Sequence, residues 1–244
     1  MKILVCISSV PDTTSKISFT DDNTAFDSNG VTYVIGPYDD YALARGVELK
    51  EQSGGSLTVL NVGTSSSDPQ IRKALAIGAD DAIRVDAEPT DSYFVAEQIA
   101  HIAKDANYDL ILMGRETTDY NSGVVHGIVG ELLGIPSLSP VMELTVDGNK
   151  ALISREIEGG KEKIEAKLPL VLGCQEPIAE WKIASMRGIM TARKKPLNVV
   201  PPVGEVLTSV SSYTLPPAKG ACKMIPAEEA EKLIELLRTE AKVI

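Results

Sequence analysis

Residues 3–7, 57–60, 82–85 and 110–113 are short apolar runs with little polar relief, and stretches of helical periodicity stand between them. The helical stretches are residues 39–50, with apolar positions at Ala42, Leu43, Val47 and Leu49, then 68–77 with Pro69 in the first turn, then 92–104. Residues 124–133 repeat the pattern after the fourth run. A strand without apolar/polar alternation has to be covered on both faces, which is the condition of a parallel sheet packed between helices. Connections between parallel strands are right-handed, so the alternation predicts an α/β fold: a Rossmann-like, doubly wound, mostly parallel sheet.

After Pro136 the periodicity changes. Residues 141–146, 151–157 and 163–172 read as hairpin strands turning at Gly148 and at Glu158, Gly159 and Gly160, because glycine supplies the positive φ of tight turns. They are expected to extend the sheet antiparallel at one edge, with residues 168–172 feeding a buried strand. Residues 196–219 hold Pro201-Pro202 and Pro216-Pro217 without a stable period, as an extended arm would. Residues 226–239 then form a helix with proline early and acids in its first turn. Its apolar stripe of Leu233, Ile234, Leu236 and Leu237 needs a covering surface, and beyond such an arm a partner is the expected one. The division is therefore 1–195 as a nucleotide-binding α/β domain and 196–244 as a Pro-rich arm with a C-terminal helix.

The formal net charge of −10, from 24 basic and 34 acidic residues, disfavours nucleic acid, whose phosphates are bound by clustered cations. It equally disfavours an anionic membrane surface. The short basic cluster of Arg193, Lys194 and Lys195 with nearby Arg187 fits a solvated loop. Three cysteines and two histidines, without a Cys-x-x-Cys pair, supply neither a disulfide framework nor a zinc site. The N-terminal apolar run is too short for a signal peptide, and no run reaches bilayer length. A reducing, cytoplasmic location is the expectation.

In a doubly wound sheet a ligand lies outside the carboxyl ends of the strands, where the strand order switches direction. Here Cys6-Ile7, Val62-Gly63 and the loop 114–123 would build that edge. Asp119, Asn121 and Ser122 precede a helix: either one of them caps it, or its free N–H groups and dipole hold a phosphate. Ser122 with Asp119 and His126 lacks the Gly-x-Ser-x-Gly elbow of a hydrolase nucleophile. Residues 175–190 carry the single Trp181 together with Met186 and Met190, residue types that adapt to partner surfaces. The segment either packs back on the sheet or faces a partner.

The stretch ISREIEGGKEKI at 153–164, followed by PLVL at 169–172, resembles the signature of electron transfer flavoprotein β subunits. GPYDDYAL at 36–43, IRKALAIGAD at 71–80, DLILMGR at 109–115 and SMRGIMTARKK at 185–195 stand in that family's order, so the likeness covers roughly residues 1–200. It implies the small subunit of a heterodimer whose α subunit holds FAD, carrying electrons from acyl-CoA-type dehydrogenases toward a quinone reductase. Such a subunit is an electron carrier and not a catalyst by itself. The matching loops imply an AMP pocket at Cys6, Gly36, Pro37, Tyr38, Asp39, Val62, Gly114, Arg115, Asp119, Asn121, Ser122, Gly123, Val124 and Val125, with Tyr38 near the flavin. The segment 175–195 corresponds to a dehydrogenase-docking loop that uses Ile183, Met186, Arg187 and Met190, and the C-terminal arm to one that embraces the α subunit. This chain departs from the family pattern at Gly36, at Gly123-Val124-Val125-His126, at Gly173 and at Ala184. Two other readings remain: a bifurcating subunit with a second FAD in place of AMP that uses NADH, and a stand-alone nucleotide-binding regulator of the same fold.

Overall fold

The computed structural model describes residues 1–20 and 22–244. In chain order, β1 (Lys2–Cys6) passes through a two-stranded ribbon, β2 (Ser9–Pro11) and β3 (Tyr33–Ile35), into α1 (Pro37–Ser53). The alternation continues with β4 (Ser56–Val62), α2 (Asp68–Ile77), β5 (Asp81–Val85), α3 (Ser92–Ala103), β6 (Leu110–Gly114) and α4 (Val125–Leu133). Four strands follow, β7 (Ser137–Asp147), β8 (Lys150–Ile157), β9 (Gly160–Lys167) and β10 (Leu170–Cys174), then α5 (Met186–Ala192), β11 (Leu197–Val200) and α6 (Ala230–Leu236). Among the described residues one nine-stranded sheet runs in the order β11-β5-β4-β1-β6-β10-β7-β8-β9. Its strands are parallel from β11 to β7, while β8 and β9 are antiparallel.

The apolar runs are covered on both faces, as their composition requires. Ile3 and Val5 of β1 face one layer with Leu57, Leu110, Leu112, Leu43 and Leu75, whereas Leu4 and Cys6 face the other with Leu60, Ile111, Phe94 and Val129. A buried aliphatic side chain contributes roughly 1.5–3 kcal/mol relative to exposure. Slipping a strand by one residue would exchange its two faces, so packing against the helix layers holds the register. The helices α1 and α2 cover the first layer, and α3 and α4 the second. The strand order reverses beside β1, which lies between β4 and β6.

The structure corrects two strand assignments. Residues 163–172 are not one strand: β9 ends at Lys167 and β10 begins at Leu170, on the far side of Pro169. Proline has no N–H for the ladder. Beyond it, Leu170, Val171 and Leu172 are fully buried and need cover on both faces, which they find between β6 and β7 and not at the hairpin edge. Residues 197–200, within the expected arm, form the edge strand β11 along β5.

The remainder of the arm is extended and fastened by side chains. Gln98 of α3 donates to the Val203 carbonyl at 2.7 Å and accepts from its amide at 2.8 Å. Asp91 caps α3 by accepting from Phe94 N at 2.7 Å, and its other oxygen accepts from the amides of Leu207 at 2.9 Å and Thr208 at 3.1 Å. Tyr213 stacks on Phe19 with ring centroids 4.7 Å apart. Past this point α6 contributes no residue to either core layer, and its Leu233 and Ile234 are half exposed.

One carboxylate thus serves both a helix end and the arm. Asp91→Ala is expected to lower the unfolding free energy by about 1–2 kcal/mol and to accelerate amide exchange at Leu207 and Thr208. Unaltered exchange at those two amides would show that the arm is held by other contacts.

Candidate functional site

The carboxyl ends of β1, β4 and β6 open into a cleft beside α3 and the start of α4. Its back wall is set by Asp39, the third residue of α1, which is 5% exposed. One Asp39 oxygen accepts from the Ser8 amide at 2.8 Å and from the Ser8 hydroxyl at 2.5 Å. The other accepts from Gly114 N at 2.7 Å. The carboxylate therefore joins the ends of the two central strands to the first turn of α1 and satisfies a buried backbone donor that water does not reach. A side chain at either of the two glycines beside it would force these groups to shift. A Cβ on Gly36 would lie 2.5 Å from both an Asp39 oxygen and the Ser8 hydroxyl, and one on Gly114 would lie 2.7 Å from the other Asp39 oxygen. Gly36, a departure from the family pattern, is thereby explained by close packing.

Burial pushes the Asp39 carboxyl up from 3.8 to about 6, against the opposing effect of the Ser8 and Gly114 hydrogen bonds and with a further push from Asp40. The thiols lining or adjoining this region are pushed up as well, first by burial and then by the Asp39 charge, Cys174 to about 12. Cys6 and Cys174 are accordingly un-ionised thiols without nucleophilic character. His126 is pushed down by burial, so it is neutral at neutral pH.

The loop after β6 leaves the start of α4 without a side-chain cap. Ser122 turns its hydroxyl to Ser92 at 2.5 Å, Asp119 accepts from the amide of Tyr120 at 2.8 Å, and Asn121 is exposed with φ 53°. None of them caps α4: the capping position is Val124, with no side-chain hydrogen bond. The first-turn amides and the dipole of α4 are left available to an anion at the cleft. His126 lies 3.3 Å from the hydroxyl of Ser137, so it and Ser122 are engaged with different neighbours and form no nucleophile–base pair. Among the described residues no cluster of His, Cys, Asp and Glu could hold a metal ion.

Eight of the expected site residues line this cleft: Cys6, Asp39, Val62, Gly114, Arg115, Asp119, Ser122 and Val125. Gly36, Pro37, Tyr38, Asn121, Gly123 and Val124 do not. Tyr38 is covered by Arg115, whose guanidinium is 5.1 Å from the ring centroid, and Val124 is exposed. Ser8 and Ser9 join the lining without having been singled out, and Thr117 and Tyr120 come from the loop 114–123 expected to build this edge. The two serines follow the carboxyl end of β1, and the switch-point rule would have found them. Val95 and Ile99 of α3 also line it, but as part of an ordinary apolar helix face they carry no distinguishing signal.

The arrangement is amphipathic. Leu60, Val62, Val95, Ile99 and Met113 make an apolar wall, and hydroxyls from Ser8, Ser9 and Thr117 stand on the polar side. Among the described residues lining the cleft Arg115 is the one Lys or Arg, and it is already bound to Gln175 at 2.7 Å and Glu116 at 3.3 Å. Gln175 in turn donates to Glu156 of β8 at 2.7 Å, connecting the cleft to the hairpins. An apolar slot leading to an uncapped helix start suits a planar base with one phosphate.

Residues 175–195 form a separate surface. Ser185 caps α5 by accepting from Gly188 N at 3.0 Å. Ile183 is 79% exposed, Met186 76% and Met190 71%, and Arg187 is exposed too. The segment does not pack back on the sheet at these positions. Lys73 stands over the exposed Trp181 at 5.7 Å from the ring centroid and pairs with Asp40 at 3.3 Å.

A family model described as "Electron transfer flavoprotein domain" matches residues 24–203. The chain is 35% identical to "Electron transfer flavoprotein subunit beta" of Bacillus subtilis (strain 168), with all of both chains covered. It is 34% identical to the protein of that name from Syntrophomonas wolfei, with all of this chain and 98% of the relative covered. To the Homo sapiens protein of that name it is 29% identical, over all of this chain and 99% of the relative.

The raised Asp39 carboxyl has a testable sign. An acid that holds its proton more tightly when folded favours the folded state most below about pH 3.8, and that contribution declines as pH rises toward about 6. The difference in unfolding free energy between the natural chain and Asp39→Asn is expected to fall by about 2–3 kcal/mol across that window. Urea unfolding of both proteins through the window measures it, and a pH-independent difference would mean an ordinary carboxyl at Asp39.

Proposed function

The chain belongs to the electron transfer flavoprotein family, as a relative of its β subunits, and on that premise we propose that it is the small subunit of a heterodimer with an FAD-carrying α subunit. The pair accepts electrons from acyl-CoA-type dehydrogenases and passes them toward a quinone reductase, in the cytoplasm. The observation that carries the heterodimer is α6, a helix at the end of a fastened arm whose Leu233 and Ile234 are half exposed. A short helix of that kind is stable only when its apolar face is covered, and an α subunit is the surface that covers it. No helix of the described residues is long and apolar enough to cross a membrane.

The cleft is the nucleotide site, and AMP is its occupant. The base would lie against Val62, Val95 and Met113, and the phosphate would meet the first-turn amides of α4, assisted by the hydroxyls. Val124 and Val125 cannot donate from their side chains. The uncapped helix start explains how a site with valines there still holds a phosphate. With Asp39, Glu116 and Asp119 against the single cation Arg115, the cleft suits one phosphate better than a chain of them. FAD, held mainly by the α subunit, supplies the one- and two-electron chemistry. This chain contributes scaffold and orientation: Arg115 keeps Tyr38 beneath its guanidinium and is itself held by Gln175. Ile183, Met186, Arg187 and Met190 present the dehydrogenase-docking surface.

Purification with whatever accompanies the chain, acid release of ligands and sizing of the complex test this reading. A second polypeptide with one FAD and one AMP per β chain is expected. Two FAD would shift the function to electron bifurcation with NADH, and a lone chain holding ATP would make it a nucleotide-binding regulator. Within the complex, Ile183→Ala is expected to slow reduction by a dehydrogenase about tenfold at unchanged flavin content. Unchanged kinetics would remove the docking role.

A further inference from the structure

The helices α2 and α5 enclose a second groove, separate from the nucleotide cleft. Its floor is made by Ala76, Ala184 and Ala192, the exposed Ile189 forms its lip, and Arg72, Lys73 and Arg193 also line it. All three floor residues are alanines, which leaves the apolar surface recessed between two helices. The groove is held rigidly. Arg72 donates to the carbonyls of Ala192 at 2.9 Å, the last residue of α5, and of Lys195 at 2.8 Å, just beyond it. Lys195 returns to the end of α2, donating to Leu75 O at 2.8 Å and Ala79 O at 2.5 Å. A side chain at Gly188 would strike the Ala76 carbonyl, so the two helices meet backbone to backbone there.

The charge around the groove is opposite to that of the chain as a whole. Residues 185–195 carry four cations and no carboxylate in a protein of net charge −10. Lys73 is paired with Asp40 and nearby Lys182 with Glu48, but exposed Arg187, Arg193 and Lys194 form no ion pair among the described residues. Exposed apolar side chains flank these cations, Ile183, Met186 and Met190 among them. Arg72, Lys73 and Arg193 line the groove with no carboxylate in its lining, and Arg193 forms no ion pair among the described residues, so a recessed apolar floor with cations beside it is complementary to a protruding apolar side chain surrounded by acids.

We propose that the α2–α5 groove is a socket for an apolar side chain of a partner protein whose surrounding surface bears carboxylates. The contact is then reciprocal: Ile183 projects from this chain while the groove beside it receives a projection from the partner. This inference rests on the docking role proposed for residues 175–195, and it adds the chemical character of the surface that docks there.

The test uses the complete α/β complex and, as probe, an acyl-CoA dehydrogenase reduced by its acyl-CoA, with the second-order rate of electron transfer measured at low and high salt. Arg193→Glu is expected to slow transfer about tenfold at about 20 mM salt, with most of the difference gone at about 500 mM. Ala184→Leu, which fills the groove, is expected to slow it at both. Ile189→Gln on the exposed lip repeats the groove test if Ala184→Leu loses flavin or thermal stability. Slowing by Ile183→Ala alone, with the groove variants and Arg193→Glu at the natural rate, would overturn the socket and leave the docking role intact. If Ile183→Ala is also without effect, both fall. Binding of the complex to phosphatidylserine vesicles that Arg193→Glu abolishes, at unchanged transfer rates, would assign the cations to a membrane surface and overturn the proposal.

Discussion

A buried carboxylate holds the two central strands and the first helix of this protein at a single point. Asp39 gathers the amide and hydroxyl of Ser8 and the amide of Gly114, and burial without a cation beside it makes its negative charge costly. The hydrogen bonds offset part of that cost, and the space they occupy explains the glycines at 36 and 114. The cleft is the open side of this junction. Its neighbour Asp40 points to Lys73 on α2, which reaches Trp181. Successive residues of one helical turn thus brace the cleft and the proposed docking surface.

The two surfaces are built to different stiffness. Where α5 meets α2, cations cap carbonyls in both directions, Arg72 toward residues 192 and 195 and Lys195 toward residues 75 and 79. A surface fixed in this way loses little conformational freedom on contact, which favours a partner recognised by shape. The arm has neither a sheet nor a core of its own between residues 201 and 226. It is held by side-chain-to-backbone bonds from Gln98 and Asp91 and by one aromatic stack. Those contacts direct the chain across α3 and leave α6 free to meet another subunit.

Much of the site was within reach of the chain-order argument, because parallel strands place their carboxyl ends together. Cys6, Val62, Gly114 and the loop beyond it line the cleft for that reason. The capping residues were harder to interpret. Asp119, Asn121 and Ser122 are the residue types that cap a helix, yet each is placed elsewhere and Val124 occupies the cap. A local propensity was overridden by partners distant in sequence: Ser122 is bound to Ser92, 30 residues away. The strand β11 was hidden similarly, since four residues among prolines show no period until β5 supplies hydrogen-bond partners.

The amino-acid sequence by itself determined the alternation of strands and helices, the two hairpin turns and the family, because periodicity, turn chemistry and linear motifs are local properties. Only the tertiary structure decided which strands are neighbours and which polar groups satisfy one another. Leu170–Cys174 follows a hairpin in sequence but lies between β6 and β7, where both of its faces are covered. Asp39 finds its partners 31 and 75 residues away. A buried hydrogen bond or a strand pairing joins groups that the chain brings together only on folding, and no run of neighbouring residues records it.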